Sequence, residues 1–309
     1  MRILLLGANG QLGRSFVEDD GLASRGELVT ASRHGRRHDG AVIEPADLAA
    51  PDTLPALLDR IRPDVIVNTA AYTAVDHAEQ EEALATRVNG EAVGVLGRWA
   101  AAHGALVIHY STDYVFDGTA TAPYPVDAPT DPLGAYGRSK LAGEQALHDS
   151  GAAHFIFRTA WVYAPHGQNF LRTMLHVGAE RDELRVVADQ IGTPTGTSLI
   201  VGGTLAALDA WQTAGAERRH ALQGTHHLVA SGHTSWHGFA TAIFDESLRR
   251  GLLPRKPRVI AIATADYPTP TRRPSWSVLD NSGFQQRFSY ALPDWQDGLH
   301  GIISTLHTN

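Results

Sequence analysis

The chain opens Met1-Arg2-Ile3-Leu4-Leu5-Leu6-Gly7-Ala8-Asn9-Gly10-Gln11-Leu12-Gly13, an apolar run of strand length that ends in a glycine-rich turn. Consecutive large aliphatic residues without polar alternation suit a strand covered on both faces. Glycines at 7, 10 and 13 permit positive φ, close approach of an anion to the backbone, and tight seating of the next helix on the strand. The unpaired N–H groups that open such a helix can hold a pyrophosphate. A plain strand-to-helix connection can look the same, so the motif is weighed with the rest of the chain.

Outward from this turn the rhythm repeats. Apolar runs at 27–31, 65–68, 106–110 and 154–158 alternate with helical patterns at 11–18, 51–60, 81–103 and 136–148. The pattern predicts an α/β fold: a doubly wound parallel sheet of Rossmann type, with ligands at the carboxyl ends of its strands. After about residue 164 the pattern changes. Pro165, Pro194 and the stretch from Pro268 to Pro274 punctuate the chain, with strand-like runs at 184–188 and 225–229. The expected division is a dinucleotide-binding domain over 1–164 and a smaller mixed α/β substrate domain over 165–309. Some segments of the second part are expected to return to the first, with the site in the cleft between them.

The 309 residues are 43% hydrophobic and 19% charged, the balance of an ordinary globular protein. A net charge of −7 argues against a broad nucleic-acid-binding surface, though a few arginines can still hold a phosphate. The absence of cysteine excludes disulfides, thiolate catalysis and cysteine-ligated metals. The first apolar run stops at Gly7, too short for a signal peptide, and no later run approaches ~18 apolar residues. A cytoplasmic location with no membrane partner is the expectation.

The choice of dinucleotide is read at the end of the second strand. NAD-binding folds place an acid there for the ribose hydroxyls. This chain has Ser32-Arg33, with Arg36 and Arg37 nearby. A guanidinium suits a 2′-phosphate, so NADPH is expected, with NADH as the alternative and a solvated basic loop as the other reading. Asp47-Leu48 falls where the adenine amine is often met.

Tyr136-Gly137-Arg138-Ser139-Lys140 places a phenol and an ammonium one helical turn apart. A tyrosine ordinarily titrates near ~10. A cation ~4 Å away at an effective dielectric of ~20 favours the phenolate by about 4 kcal/mol, or roughly 3 pKa units. Such a tyrosine is expected to protonate a developing alkoxide. The spacing alone also fits a surface pair. Its context is Ser111-Thr112-Asp113-Tyr114-Val115-Phe116-Asp117-Gly118, directly after the apolar run 106–110. Thr112 there can donate to a substrate carbonyl.

The glycine turn, Thr112 and the Tyr136/Lys140 pair make the chain resemble the extended short-chain dehydrogenase/reductases. Within them it resembles the dTDP-4-dehydrorhamnose reductase family, in Gly7 to Gly13, Arg62 to Asp76, Ser111 to Gly118, Tyr136 to Glu144, Phe157 to Tyr163, Asp189 to Thr195, His227 to Gly232 and Arg272 to Pro274. The resemblance implies NADPH-dependent reduction of the C4 ketone of a nucleotide sugar, dTDP-4-dehydro-β-L-rhamnose, as the last step towards dTDP-L-rhamnose. It places Gly10, Gln11 and Leu12 on the pyrophosphate, within the turn formed by Gly7, Asn9 and Gly13. It places Ala71, Tyr72 and Thr73 along the cofactor, with Tyr110 near it. Thr112, Asp113 and Tyr114 meet the sugar and Trp161 packs on it. Tyr136 is the proton donor, and Lys140 orients it and the nicotinamide ribose. Arg272 and Arg273 either meet the nucleotide phosphates or form internal ion pairs.

Mg²⁺ is described for some members of this family at a carboxylate-rich subunit contact. Here Ser15 stands where a Glu can occur, so no bound metal is expected. His226 and His227 are expected on opposite faces of one strand, unable to share an ion. The assembly is expected to be a monomer or a homodimer. Two rival readings remain. Sugar-nucleotide dehydratases and epimerases share the scaffold, but dehydratases use Thr-Asp-Glu where this chain reads Thr112-Asp113-Tyr114. A non-catalytic NADP-binding subunit is the other, although both Tyr136 and Lys140 are present.

Overall fold

A computed structural model of the chain describes residues 1–306. Seven parallel strands form one sheet: β1 (Arg2–Leu6), β2 (Glu27–Ser32), β3 (Glu44–Pro45), β4 (Val65–Asn68), β5 (Leu106–Thr112), β6 (Ala153–Thr159) and β7 (Gly224–His227). Their spatial order is β7-β6-β5-β4-β1-β2-β3. The order reverses at β1, which opens a crevice above the carboxyl ends of β1 and β4.

Both faces of this sheet are buried, which explains the unbroken apolar strands. Ile3, Leu5, Val67 and Ile108 face one core; Leu4, Leu6, Ile66 and Val107 face the other. Helices α1 (Gln11–Asp19), α2 (Leu54–Ile61), α3 (Ala92–His103), α4 (Ala135–Asp149) and α5 (Thr197–Thr213) include those that cover them. Helix α5 comes from the second half of the chain yet lies on the first. Its Thr197 hydroxyl is 2.8 Å from Ser15 Oγ in α1, and its Thr204 hydroxyl is 2.8 Å from the Tyr110 hydroxyl of β5. Strand β7, also from the second half, extends the sheet beside β6. His226 packs on Phe155 and Phe288, while His227 packs edge-on to Phe116 on the other face.

Outside the main sheet lie three two-stranded pairings. Val162–Tyr163 pairs with Thr195–Gly196, Ile191–Gly192 with Thr234–Ser235, and Glu183–Val187 with Arg258–Ile262. Sequence periodicity misses the two-residue β3, whose Pro45 is tolerated because the strand lies at the sheet edge. The expected helix over 81–103 is present as one unbroken helical run from Glu82 to His103, which contains a π-helical turn at Arg87–Glu91 before α3. No proline interrupts this stretch, so the sequence does not announce the π turn within it. Among the described residues no helix is long and apolar enough to cross a membrane.

Candidate active site

The glycine turn is built as its composition demands. Gly7 has φ 82°, and a Cβ there would lie 2.6 Å from the Ala70 nitrogen. A Cβ on Gly13 would lie 2.1 Å from the Gly7 carbonyl oxygen, so α1 packs on the turn only through a glycine. Gly10 caps α1 without any side-chain hydrogen bond, which leaves the first-turn N–H groups for an anion. The geometry fits a dinucleotide pyrophosphate.

Neighbouring side chains do different work from that expected of them. Asn9 does not reach into the crevice: its amide donates to the Arg36 carbonyl at 2.7 Å and accepts from the His38 N–H at 2.9 Å. Ser32 also donates to the Arg36 carbonyl, at 2.9 Å. Together they stitch the basic loop over the turn. Gln11 accepts from Asn169 at 2.8 Å, and Leu12 packs against the core. Arg33 remains exposed, with its Nε 3.6 Å from Asp47. The Leu48 side chain is buried with Leu54 and Leu57.

Beyond β4, the segment Ala71-Tyr72-Thr73 is held by Asn89 in the π turn. Asn89 accepts from the Tyr72 N–H at 2.9 Å and donates to the Tyr72 carbonyl at 3.0 Å and the Ser139 hydroxyl at 2.9 Å. One buried amide thus locks this segment to α4.

Helix α4 presents Tyr136 and Lys140 towards the end of β5. Its first N–H, from Ala135, donates to Glu79 at 2.9 Å. A Cβ on Gly137 would lie 2.2 Å from the Tyr114 carbonyl oxygen, so glycine lets the helix press against the turn after β5. Tyr114 and Tyr136 meet edge to face at 5.8 Å. Thr112 donates to Asp113 Oδ1 at 2.9 Å. Asp113 Oδ2 is buried without a partner, and burial pushes this carboxyl up to about 6 despite the Ser277 and Thr112 hydroxyls.

The electrostatics correct one expectation. Burial raises the Tyr136 phenol well above its ordinary value, and the Asp113 charge adds to that; only the Thr112 hydroxyl opposes them. Lys140 does not acidify it, because its Nζ is directed elsewhere. It donates to the Tyr110 carbonyl at 2.6 Å and lies 3.3 Å from His109 Nε2. Burial lowers Lys140 to about 8. Tyr110 is a second correction. Strand alternation turns its ring into the opposite core, against Phe16 and Phe157, so only its carbonyl borders the site.

On the far wall Trp161 has φ 46° and stacks on Trp236 at 3.5 Å. Arg273 bonds Asp76 at 2.9 Å and the Tyr114 hydroxyl at 3.4 Å, so it forms an internal ion pair. Arg272 is exposed and makes no ion pair among the described residues.

The sequence profile of the RmlD substrate binding domain family matches residues 1–308. A dTDP-4-dehydrorhamnose reductase of Burkholderia thailandensis is 47% identical over 301 residues, covering 96% of each chain. Its counterpart in Escherichia coli K12 is 42% identical over 308 residues, covering 100% of this chain and 99% of that one. The chain belongs to the dTDP-4-dehydrorhamnose reductase family. Solved structures agree. A dTDP-4-dehydrorhamnose reductase of Clostridium acetobutylicum superposes with a TM-score of 0.85 at 32% identity, covering 98% of this chain and 99% of that one. One from Bacillus anthracis, in complex with NADP, gives 0.84 at 30% identity, covering 99% of each.

As a dTDP-4-dehydrorhamnose reductase family member, the chain is of an oxidoreductase type. Its residues do not furnish the carboxylate set that Mg²⁺ would need at α1. Ser15 there is bonded to the Gln11 carbonyl and to Thr197, and no metal-binding group of three His, Asp or Glu occurs among the described residues. Sequence reading overlooked Asn68, Asp76, Asn89 and His109. Asn68 and His109 left a signal, being polar side chains inside otherwise apolar strands; Asp76 and Asn89 left none.

Proposed function

We propose that this reductase family member reduces the C4 ketone of dTDP-4-dehydro-β-L-rhamnose to the alcohol, with NADPH as reductant and Tyr136 as proton donor. The observation that carries the reading is the convergence of Thr112, Tyr136 and Lys140 at the carboxyl end of β5, in a chain whose glycine turn leaves the first turn of α1 uncapped. NADPH, when bound, supplies the hydride. Gln11 and Leu12, in the uncapped first turn of α1 after Gly10, hold its pyrophosphate through backbone N–H groups, Asp47 lies beside its adenosine half, and Ala71, Tyr72 and Thr73 line its course. Arg33, exposed on the basic loop beside Asp47, meets the 2′-phosphate.

The remaining chemistry belongs to the protein. Thr112, turning its hydroxyl proton from Asp113 to the ketone oxygen, keeps the carbonyl polarised. As the C4 oxygen gains charge, Tyr136 gives its phenolic proton to it, so that carbon gains hydride and oxygen gains H⁺. An alkoxide is a far stronger base than a phenolate, so the transfer runs downhill even from a phenol raised by burial. That raised value keeps Tyr136 loaded with its proton at every physiological pH. Lys140 lies behind it and takes up and passes on the proton that restores it. Asp113 and Tyr114 meet the sugar, Trp161 packs on it, and Arg272 meets the nucleotide phosphates.

The test is the fall of NADPH absorbance with a panel of 4-keto nucleotide sugars. Oxidation dependent on the dTDP-linked 4-keto-6-deoxy sugar is the expected result. No consumption with any member of the panel overturns the reading.

A further inference from the structure

Asn68 and His109 stand opposite each other on the parallel strands β4 and β5. Both are about 1% exposed, so each polar atom must find its partner inside the protein. The Asn68 amide is oriented by its own backbone: Oδ1 accepts from the Ala70 N–H at 3.2 Å. Its NH₂ group therefore points at His109 Nδ1, 3.1 Å away. An NH₂ group only donates, so Nδ1 must offer its lone pair. Burial, with the Lys140 charge beside it, holds this ring neutral. The one ring proton then resides on Nε2.

That proton is aimed at Lys140 Nζ, 3.3 Å away. A ring N–H facing an amine makes a hydrogen bond to the nitrogen lone pair. Facing an ammonium, it sets two donors against each other. We propose that Asn68 and His109 form a buried relay in which the fixed amide selects the Nε2–H tautomer, and this tautomer favours the neutral amine of Lys140. His109 is thus a positioning residue that sets the working protonation state of the lysine. The inference rests on the role given to Lys140 above.

The other groups facing Lys140 act differently. Tyr136 precedes it by one helical turn and stays protonated. Glu144 follows by one turn, bonds Arg158 of β6 at 2.7 Å, and favours the ammonium. The Tyr110 carbonyl accepts from either form of the amine. Burial outweighs Glu144 and lowers Lys140 to about 8. An amine in that range can take up and return a proton near neutrality, which a lysine at its ordinary ~10.4 does poorly.

The experiment reads Lys140 directly and needs no sugar substrate, so its failure is distinct from failure of the proposed reaction. The chain has only two lysines, Lys140 and Lys256. Protein labelled with ¹³C at lysine Cε therefore gives two titrating signals, and Lys256→Arg assigns them. In the unsubstituted protein Lys140 is expected to titrate near pH 8. In His109→Met, where the donor is lost, the midpoint should rise by about 1 unit. Asn68→Asp presents an acceptor to Nδ1, reverses the tautomer and should raise it likewise. An unchanged midpoint in both variants overturns the proposal. If neither variant folds, ¹⁵N-histidine spectra of the unsubstituted protein decide: a His109 proton on Nε2 supports the relay and one on Nδ1 overturns it.

Discussion

Arg273 Nη2 lies 2.9 Å from Asp76 Oδ2, joining the proline-rich segment near the end of the chain to the segment beyond β4. The same guanidinium reaches the Tyr114 hydroxyl, whose ring packs edge-on to Tyr136. One cation therefore ties the late segment to the ring that borders Tyr136 in the candidate site. Arg273→Gln should raise the substrate KM about fivefold, corresponding to roughly 1 kcal/mol for a partly exposed charged hydrogen bond. The cofactor dissociation constant should stay unchanged; steady-state kinetics and a fluorescence titration separate the two.

Tyr136→Phe removes the proposed acid and leaves the ring that packs on Tyr114. Turnover should fall by about 10²–10⁴, while NADPH affinity changes little. Full turnover in this variant would remove Tyr136 from the mechanism.

Arg33→Ala should raise the KM for NADPH about tenfold, the worth of one charge-assisted hydrogen bond of about 1.4 kcal/mol. The KM for NADH should hardly move. Equal changes for both cofactors would show that Arg33 does not read the 2′-phosphate.

Gly13→Ala places a methyl 2.1 Å from the Gly7 carbonyl oxygen, where backbone must shift. Cofactor affinity should drop at least tenfold, or the protein should fail to fold. Gly10→Ala meets the same oxygen at 3.4 Å and should be better tolerated. Parallel NADPH titrations of the two variants compare them.

Asp113 carries a stability signature with a definite sign. Burial raises its carboxyl from 3.8 to about 6, so the folded protein binds the proton more tightly than the unfolded chain. Stability should therefore decline as pH rises from about 4 to 6, by about 3 kcal/mol for this group. Asp113→Asn should remove that decline. Thermal melts at pH 4.5 and 7.5 should show the variant gaining more on the parent at the higher pH, with turnover reduced. A constant difference at both values would contradict the assignment.

The Rossmann half was legible because its cues are local. Continuous apolar runs mark strands buried on both faces, and the glycines at 7 and 13 are required by contacts within a few residues or with the adjacent β4 turn. The helix bearing Tyr136 and Lys140 was legible from spacing alone, within a residue at each end of α4. The departures were equally physical. Periodicity runs through the π turn at Arg87–Glu91, and a two-residue edge strand has no period to read.

By itself, then, the sequence determined which residues share a helix face or a strand end, since backbone geometry dictates that within one element. Only the tertiary structure decided where those side chains spend their hydrogen bonds. Lys140 turns to a carbonyl 30 residues earlier and to His109 rather than to Tyr136, and Asp76 meets Arg273 across 197 residues. Asn9 and Tyr110 have the identities expected of cofactor neighbours, yet the folded loop and the strand pleat direct them elsewhere. Protonation followed the same rule. The acidity of Tyr136 depends on what buries it and which charges lie beside it, and neither is encoded in the spacing of two letters.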